Sequence, residues 1–351
     1  MIATLFLYAA IQPQTMAQKA DTLIQQAVTS NKIPSLVAAL VVNGKVVMQK
    51  YYGTKTLGKS QSPDGDTVYG IGSLSKALTE FGAMTLVDDG KLDLNQTAGT
   101  YLPQLPATWK PIKVINFMTH TSGIPDGGLK GATSLYGGFN DFAAKHPLAF
   151  KPGTNQLYSN LNFAVVGALI EKISGQKYAD FMQARMWGPL KMTHTGPWTT
   201  KLKGDKATGY TNVGGKVHPS KGEVDVNSFG IPSGGLVSTL NDLVAWANAM
   251  LGTQVLSESG YEQMFTPLVP PGNTKPWHFT PGWQSRYANG VQILAKNGAV
   301  EGYCSMMQMV PSKGAALIMI WNLKGKGVDL WSTSAQIWQQ TLGLPPPTKG
   351  S

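Results

Sequence analysis

Strand-like segments crowd the two ends of this 351-residue chain and are sparse between them, so a sheet has to be assembled from sequence that lies far apart. Near the start, residues 35–42 and 45–52 alternate apolar and β-branched side chains around Asn43-Gly44. An Asn-Gly pair between two such runs is a strong hairpin signal, because both residues tolerate a positive φ. Near the end, residues 290–295, 302–310 and 315–321 read as strands and 330–342 as a helix, beside a further helix over 21–29. The middle is mostly helical: 76–89 stops at Gly90, 160–173 at Ser174-Gly175 and 240–251 at Gly252, each a C-cap signal. Long loops containing Gly and Pro, 125–139 and 200–233, separate these helices, and loops of that length commonly carry function. The pattern predicts a discontinuous α/β domain from residues 18–75 and 270–345, with a mainly helical domain, 76–269, inserted into it.

Composition narrows the function classes. At 42% apolar residues the chain is globular rather than disordered, and no apolar run reaches the ~20 residues that a membrane helix needs. Residues 1–17 look like a secretory segment, apolar over 1–11 with small residues around Thr15-Met16-Ala17, although a basic leader is missing; this predicts an extracytoplasmic protein, periplasmic or secreted. The single Cys304 excludes an internal disulfide and a cysteine metal cluster. The formal charge of +10 is spread without a basic cluster, which argues against a nucleic-acid partner. None of the five histidines has metal-ligand spacing, and HExxH, CxxC, GxSxG, GxGxxG and P-loop patterns are absent, so no cofactor or metal is expected. A serine enzyme built from this sequence has to take its base from Lys or Tyr.

Ser73-Leu74-Ser75-Lys76 offers that base. On a helix, i and i+3 share a face, so Lys76 can reach the Ser73 oxygen. The same tetrad occurs at Ser174-Gly175-Gln176-Lys177, where it closes a helix; only Ser73 stands where a helix begins, beside free N–H groups and the positive end of the dipole. The plainer reading of Ser73 is an N-cap. Tyr158-Ser159-Asn160 adds a phenol and an amide before a helix, and Lys296-Asn297-Gly298-Ala299 adds a second cation on what reads as a sheet edge. Taken singly, Tyr158 is a core or capping residue and Lys296 a solvated charge, since Tyr-x-Asn recurs at Tyr210 and Tyr287 and Lys-x-Gly at Lys151.

Their order and surroundings resemble the penicillin-recognising serine hydrolases: class C β-lactamases, D-Ala-D-Ala peptidases and family VIII carboxylesterases. The resemblance runs from about residue 69 to 322 and includes Thr119-His120-Thr121-Ser122-Gly123, Pro152-Gly153, Pro189-Leu190-Lys191-Met192, Ser233-Gly234-Gly235-Leu236, Gly282-Trp283 and Gly302-Tyr303. It implies a serine β-lactamase-like α/β (α+β) fold, an antiparallel sheet flanked by helices with the helical insertion. It makes Ser73 the nucleophile, Lys76 its partner and Tyr158 a base or proton shuttle. Asn160, Lys296, Asn297, Gly298 and Phe229 become substrate-binding residues, and the N–H groups of Ser73 and Ala299 an oxyanion hole. His120 reads as structural. The implied partner is a small acyl substrate: a β-lactam, an ester or a D-amino-acid amide.

Electrostatics leave the base open. A unit positive charge about 4 Å from a phenol favours phenolate by ~4 kcal/mol at an effective dielectric of ~20, roughly three pKa units, while burial acts the other way. A neutral Lys76 is an equal rival to Tyr158. Asn297 stands where class C β-lactamases have threonine, and the segment between Trp283 and Lys296 is short for that class. The rivals to a β-lactamase-like hydrolase are a carboxylesterase, a D-amino-acid peptidase and a binding domain that acylates without turnover.

Overall fold

The computed structural model describes residues 13–129, 134–198, 205–220, 229–252, 254–325, 328 and 330–347. One sheet of seven strands organises the chain. In sequence order its strands are β1 (Ser35–Val42), β2 (Lys45–Gly53), β3 (His278–Thr280), β4 (Trp283–Ala288), β5 (Val291–Val300), β6 (Tyr303–Val310) and β7 (Ala315–Trp321), and across the sheet they run β2-β1-β7-β6-β5-β4-β3. Every neighbouring pair is antiparallel, and the join between the two ends of the chain is β1 against β7, with Leu36 opposite Trp321 and Val42 opposite Ala315. Asn43 and Gly44 turn β1 into β2 at φ 51° and 71°. A second Asn-Gly pair, Asn289-Gly290 at φ 50° and 76°, turns β4 into β5 in the same way.

Both faces of the sheet are covered, and the strand period of two sorts side chains between two cores. Val37, Ala39 and Val41 of β1, with Ala316, Ile318 and Ile320 of β7, join the core shared with the helical body. Leu36, Ala38, Leu40, Leu317 and Met319 point to the other face, where α1 (Pro13–Ser30) and a C-terminal helix (Trp331–Leu342) close the second core. The helical body centres on α2 (Leu74–Asp88), whose residues from Leu74 to Leu86 are all buried, and α3 (Asn160–Ser174), which packs beside it. α3 ends on Gly175 at φ 71° and α4 (Leu240–Leu251) begins at the cap Thr239, whose hydroxyl accepts from Asp242 N–H.

Several expectations are corrected. β5 runs on to Val300 instead of stopping near 295; it pairs with β4 only as far as Ala295 and from Lys296 onward with β6 alone, so Lys296 opens the stretch of the strand whose other side is free of strand pairing. Part of the stretch 200–233 is a hairpin, Tyr210–Val213 with Lys216–Pro219, made possible by Gly214 and Gly215 at φ 60° and 84°. The second half of 125–139 enters a helix, Leu135–Lys145, capped by Ser134. Residues 1–12 of the secretory-like segment lie outside the described residues; Thr15, Met16 and Ala17 are within α1, with Met16 buried. No helix among the described residues is long and apolar enough to cross a membrane.

The sheet meets α2 through glycine. A Cβ on Gly298 would stand 1.9 Å from the Ile71 carbonyl oxygen, and one on Gly72, itself at φ 50°, 2.6 Å from Ala299 N. Gly298→Ala is therefore expected to lower stability by roughly 1–3 kcal/mol through overpacking, read as a fall in the urea midpoint. An unchanged midpoint would mean the strand and helix do not touch there.

Candidate active site

Ser73 immediately precedes α2, with φ −65° and ψ −4°, and its side chain does not cap the helix. Instead its Oγ lies 2.7 Å from the Tyr158 hydroxyl and 3.2 Å from Lys76 Nζ. Lys76 is fully buried, and its Nζ also donates to Asn160 Oδ1 at 2.7 Å and to the Ser233 carbonyl at 2.5 Å. Burial drives its pKa well down, the Lys296 charge adds to that, and Asp126 opposes it. A neutral amine has two N–H donors and one lone pair. Asn160 and Ser233 offer acceptors for the donors, and the Ser73 hydroxyl is the one neighbour that can donate to the lone pair.

Tyr158 and Asn160 sit on the turn that starts α3, held by His120. The Ser159 N–H donates to His120 Nδ1 at 3.2 Å, Asn162 Nδ2 lies 3.1 Å from the same nitrogen, and the imidazole stacks on the Tyr158 ring at 4.5 Å. Burial, then the charges of Lys296 and Lys76, keep His120 neutral. It is a platform for Tyr158, as its sequence setting suggested.

Asp126, which sequence reasoning missed, orients Asn160. Its Oδ1 accepts from the Asn160 N–H at 2.8 Å and from Nδ2 at 3.1 Å, so the amide oxygen is left facing Lys76. The carboxylate follows directly on Thr119-His120-Thr121-Ser122-Gly123-Ile124-Pro125, the motif that carries the platform histidine.

Lys296 arrives from the sheet. It has the strand parity of Leu294, which belongs to the core shared with the helices, so its side chain enters that core and is only 3% exposed. The solvated charge that the isolated residue suggests is not what forms. Its Nζ lies 5.8 Å from the Tyr158 ring centroid, and burial lowers its pKa to about 8 while Glu80 pulls it up. For Tyr158 burial outweighs everything else: its hydroxyl is pushed up to about 12, against a lowering by the Ser73 hydrogen bond. The phenolate that two nearby lysines were expected to favour is opposed here, because burial of the hydroxyl itself raises its pKa more than the Ser73 hydrogen bond lowers it.

A cavity of about 240 Å³ opens over these groups, lined by Ser73, Tyr158, Lys296, Asn297, Ala299, Phe279 and Gln284. Larger cavities of about 510 and 640 Å³ lie elsewhere without such a convergence of reactive groups. Phe279 and Gln284 carry no sequence signal of their own and come with β3 and β4. Phe229, expected at the substrate wall, lines the 640 Å³ cavity beside Tyr178 and Pro232 and is absent from the lining of the Ser73 cavity. It follows residues 221–228, which are outside the described residues.

Residues 20–341 match the beta-lactamase family. The chain belongs to that family. It is 26% identical over 325 residues to Protein flp of Staphylococcus aureus (strain COL), an alignment that covers 89% of this chain and 64% of that relative. A class C beta-lactamase structure superposes with a TM-score of 0.81 at 22% identity, over 97% of this chain and 99% of the other. The D-alanine carboxypeptidase AmpC from Burkholderia cenocepacia gives 0.79 at 23% identity, over 95% and 99%. The fold of this beta-lactamase-family chain is thus the class C beta-lactamase fold, and family and fold support a serine hydrolase in general.

Asp126→Ala frees the Asn160 amide to turn, so that its oxygen is no longer held toward Lys76. The expected result is a fall of about 10- to 100-fold in the rate at which an acylating probe labels the protein, with the melting temperature little changed. Labelling at the wild-type rate would show that Asp126 does not hold the site.

Proposed function

We propose that the protein is a serine hydrolase that works through an acyl-enzyme on Ser73, with a neutral Lys76 as the base and β-lactams or related acyl compounds as substrates. The observation that carries this reading is a fully buried Lys76 with its Nζ 3.2 Å from Ser73 Oγ: burial drives the amine toward its neutral form, which leaves a lone pair for the hydroxyl proton.

The Ser73 hydroxyl donates to the Lys76 lone pair. As its oxygen bonds to the substrate carbonyl carbon, the proton passes to Nζ and the carbonyl π pair moves to oxygen, where the N–H groups of Ser73 and Ala299 receive it. Collapse breaks the bond to the leaving nitrogen or oxygen. Tyr158, a protonated phenol 2.7 Å from Ser73 Oγ, hands its proton to that atom and is recharged from Lys76. Water then attacks the ester and the same groups run in reverse. Lys296 and Asn297 line the cavity; in this reading Lys296 supplies positive potential and the Asn297 amide hydrogen-bonds a substrate carboxylate. The small cavity also suits a short ester, which keeps carboxylesterase activity as the second reading.

Turnover of nitrocefin and of p-nitrophenyl butyrate, with Ser73→Ala as control, tests the proposal. Hydrolysis of nitrocefin that falls by about 10³-fold or more in the variant supports it. Fast ester cleavage with negligible nitrocefin cleavage moves the substrate class to esters, and turnover of neither sinks the hydrolase. The profile of kcat/KM against pH should fall on the alkaline side near pH 8, where Lys296 loses its charge. A rate still rising through pH 9 would contradict that role for Lys296.

A further inference from the structure

Arg286 is a buried cation that the chemistry at Ser73 does not use. It stands on β4 opposite Ile293 of β5, a residue of the second core, so it leaves the sheet from the face opposite to that of Lys296. Only 6% of it is exposed, yet no acid pairs with it among the described residues. Its Nη2 donates to the Pro345 carbonyl oxygen over a long 3.4 Å, and its guanidinium carbon lies 5.4 Å from the centre of the Trp277 ring. A guanidinium carries five N–H donors and does not give up its proton in a protein, so the remaining donors are left without a protein acceptor among the described residues. Burial weighs against the charge, and no carboxylate opposes it. A buried cation without a counter-charge is strongly unfavourable.

The guanidinium lines the cavity of about 510 Å³ that lies between the sheet and the C-terminal helix, Trp331–Leu342. Trp277 and Trp331, with ring centres 5.8 Å apart and planes at 74°, give it aromatic walls, and Pro346 borders it from the segment after the helix. Gln308 also reaches it, but with an amide already in use: Nε2 donates to Ser334 Oγ at 2.9 Å and Oε1 accepts from Trp338 Nε1. Among the described residues no acid and no second cation lines this space, and it shares no residue with the Ser73 cavity. We propose that it is a second ligand site, which takes a small monocarboxylate with an aromatic body, the carboxylate on Arg286 and the ring against Trp277 and Trp331. The guanidinium fork matches the two oxygens of a carboxylate. One cation balances one negative charge, whereas a phosphate would leave charge uncompensated between apolar walls. Tryptophan rings favour a flat apolar partner, and the volume lies within the range of small-molecule sites. The site stands independently of the role given to Ser73.

The test titrates phenylacetate, its neutral counterpart phenylacetamide and inorganic phosphate into the full chain by calorimetry. Wild type is expected to bind phenylacetate at least about tenfold more tightly than either of the others. Arg286→Gln should erase the preference over the amide. Ala335→Phe keeps the cation but fills the cavity from the helix side, and should weaken phenylacetate by at least about tenfold as well, so the proposal stays open to refutation if Arg286→Gln does not fold. Lys296→Gln, which alters only the Ser73 cavity, should bind phenylacetate as wild type does. Loss of binding in Lys296→Gln with none in the other two variants would place the probe in the Ser73 cavity and overturn the site. Phosphate bound as tightly as phenylacetate, or no binding of phenylacetate to wild type, would overturn it too.

Discussion

A lysine with no exposed surface is the constraint on which this site depends. Lys76 is carried into the core by a helix that is buried along nearly its whole length, so it cannot reach water. A buried ammonium is costly, and the group relieves that cost by giving up its proton or by collecting acceptors. Here Asn160 on α3 and the Ser233 carbonyl accept from Nζ, and the Ser73 hydroxyl at the start of its own helix lies 3.2 Å away. The same three bonds that satisfy the amine also fix the relative placement of the segments that carry the serine and the tyrosine. Stability and reactivity have one origin.

The sheet contributes the second cation through geometry of a different kind. Strand parity sends Lys296 into the core on the side facing α2, and two glycines let strand and helix come into backbone contact. Burial lowers both lysines, and the Lys296 charge lowers Lys76 further. Asp126 acts against this on Lys76. The serine and the phenol stand beside these weakened amines, at the cavity that opens over them.

Much of this could be read from the residues. The β1–β2 hairpin, β7, α3 and α4 follow from continuous or alternating apolar runs with clear Asn-Gly or Gly punctuation, and the order of Ser73, Lys76, Tyr158 and Lys296 carried the site. Other parts were hidden for physical reasons. Lys-Asn-Gly looks like the end of a strand, and only pairing with β6 and the absence of a side chain at Gly298 allow β5 to continue through it. A glutamate in a helix is ordinarily solvated, so nothing in the pattern marked Glu80 as buried. Asp126 acts on Asn160 across a loop, a contact with no local signature. The balance at Tyr158 was left open by the sequence because charge spacing can be guessed from motifs, whereas burial can be known only from packing.

The most direct test of the account is where a covalent probe lands. Protein treated with a fluorophosphonate or a penicillin, digested and mapped by mass spectrometry, is predicted to carry one adduct, on the peptide containing Ser73, with the oxygen of Ser73 and not of Ser75 modified. Ser75 Oγ is buried and bonded to the Gly72 carbonyl, so it is unavailable. An adduct on any other residue, or none on a folded protein, would contradict the assignment of Ser73 as the reacting group.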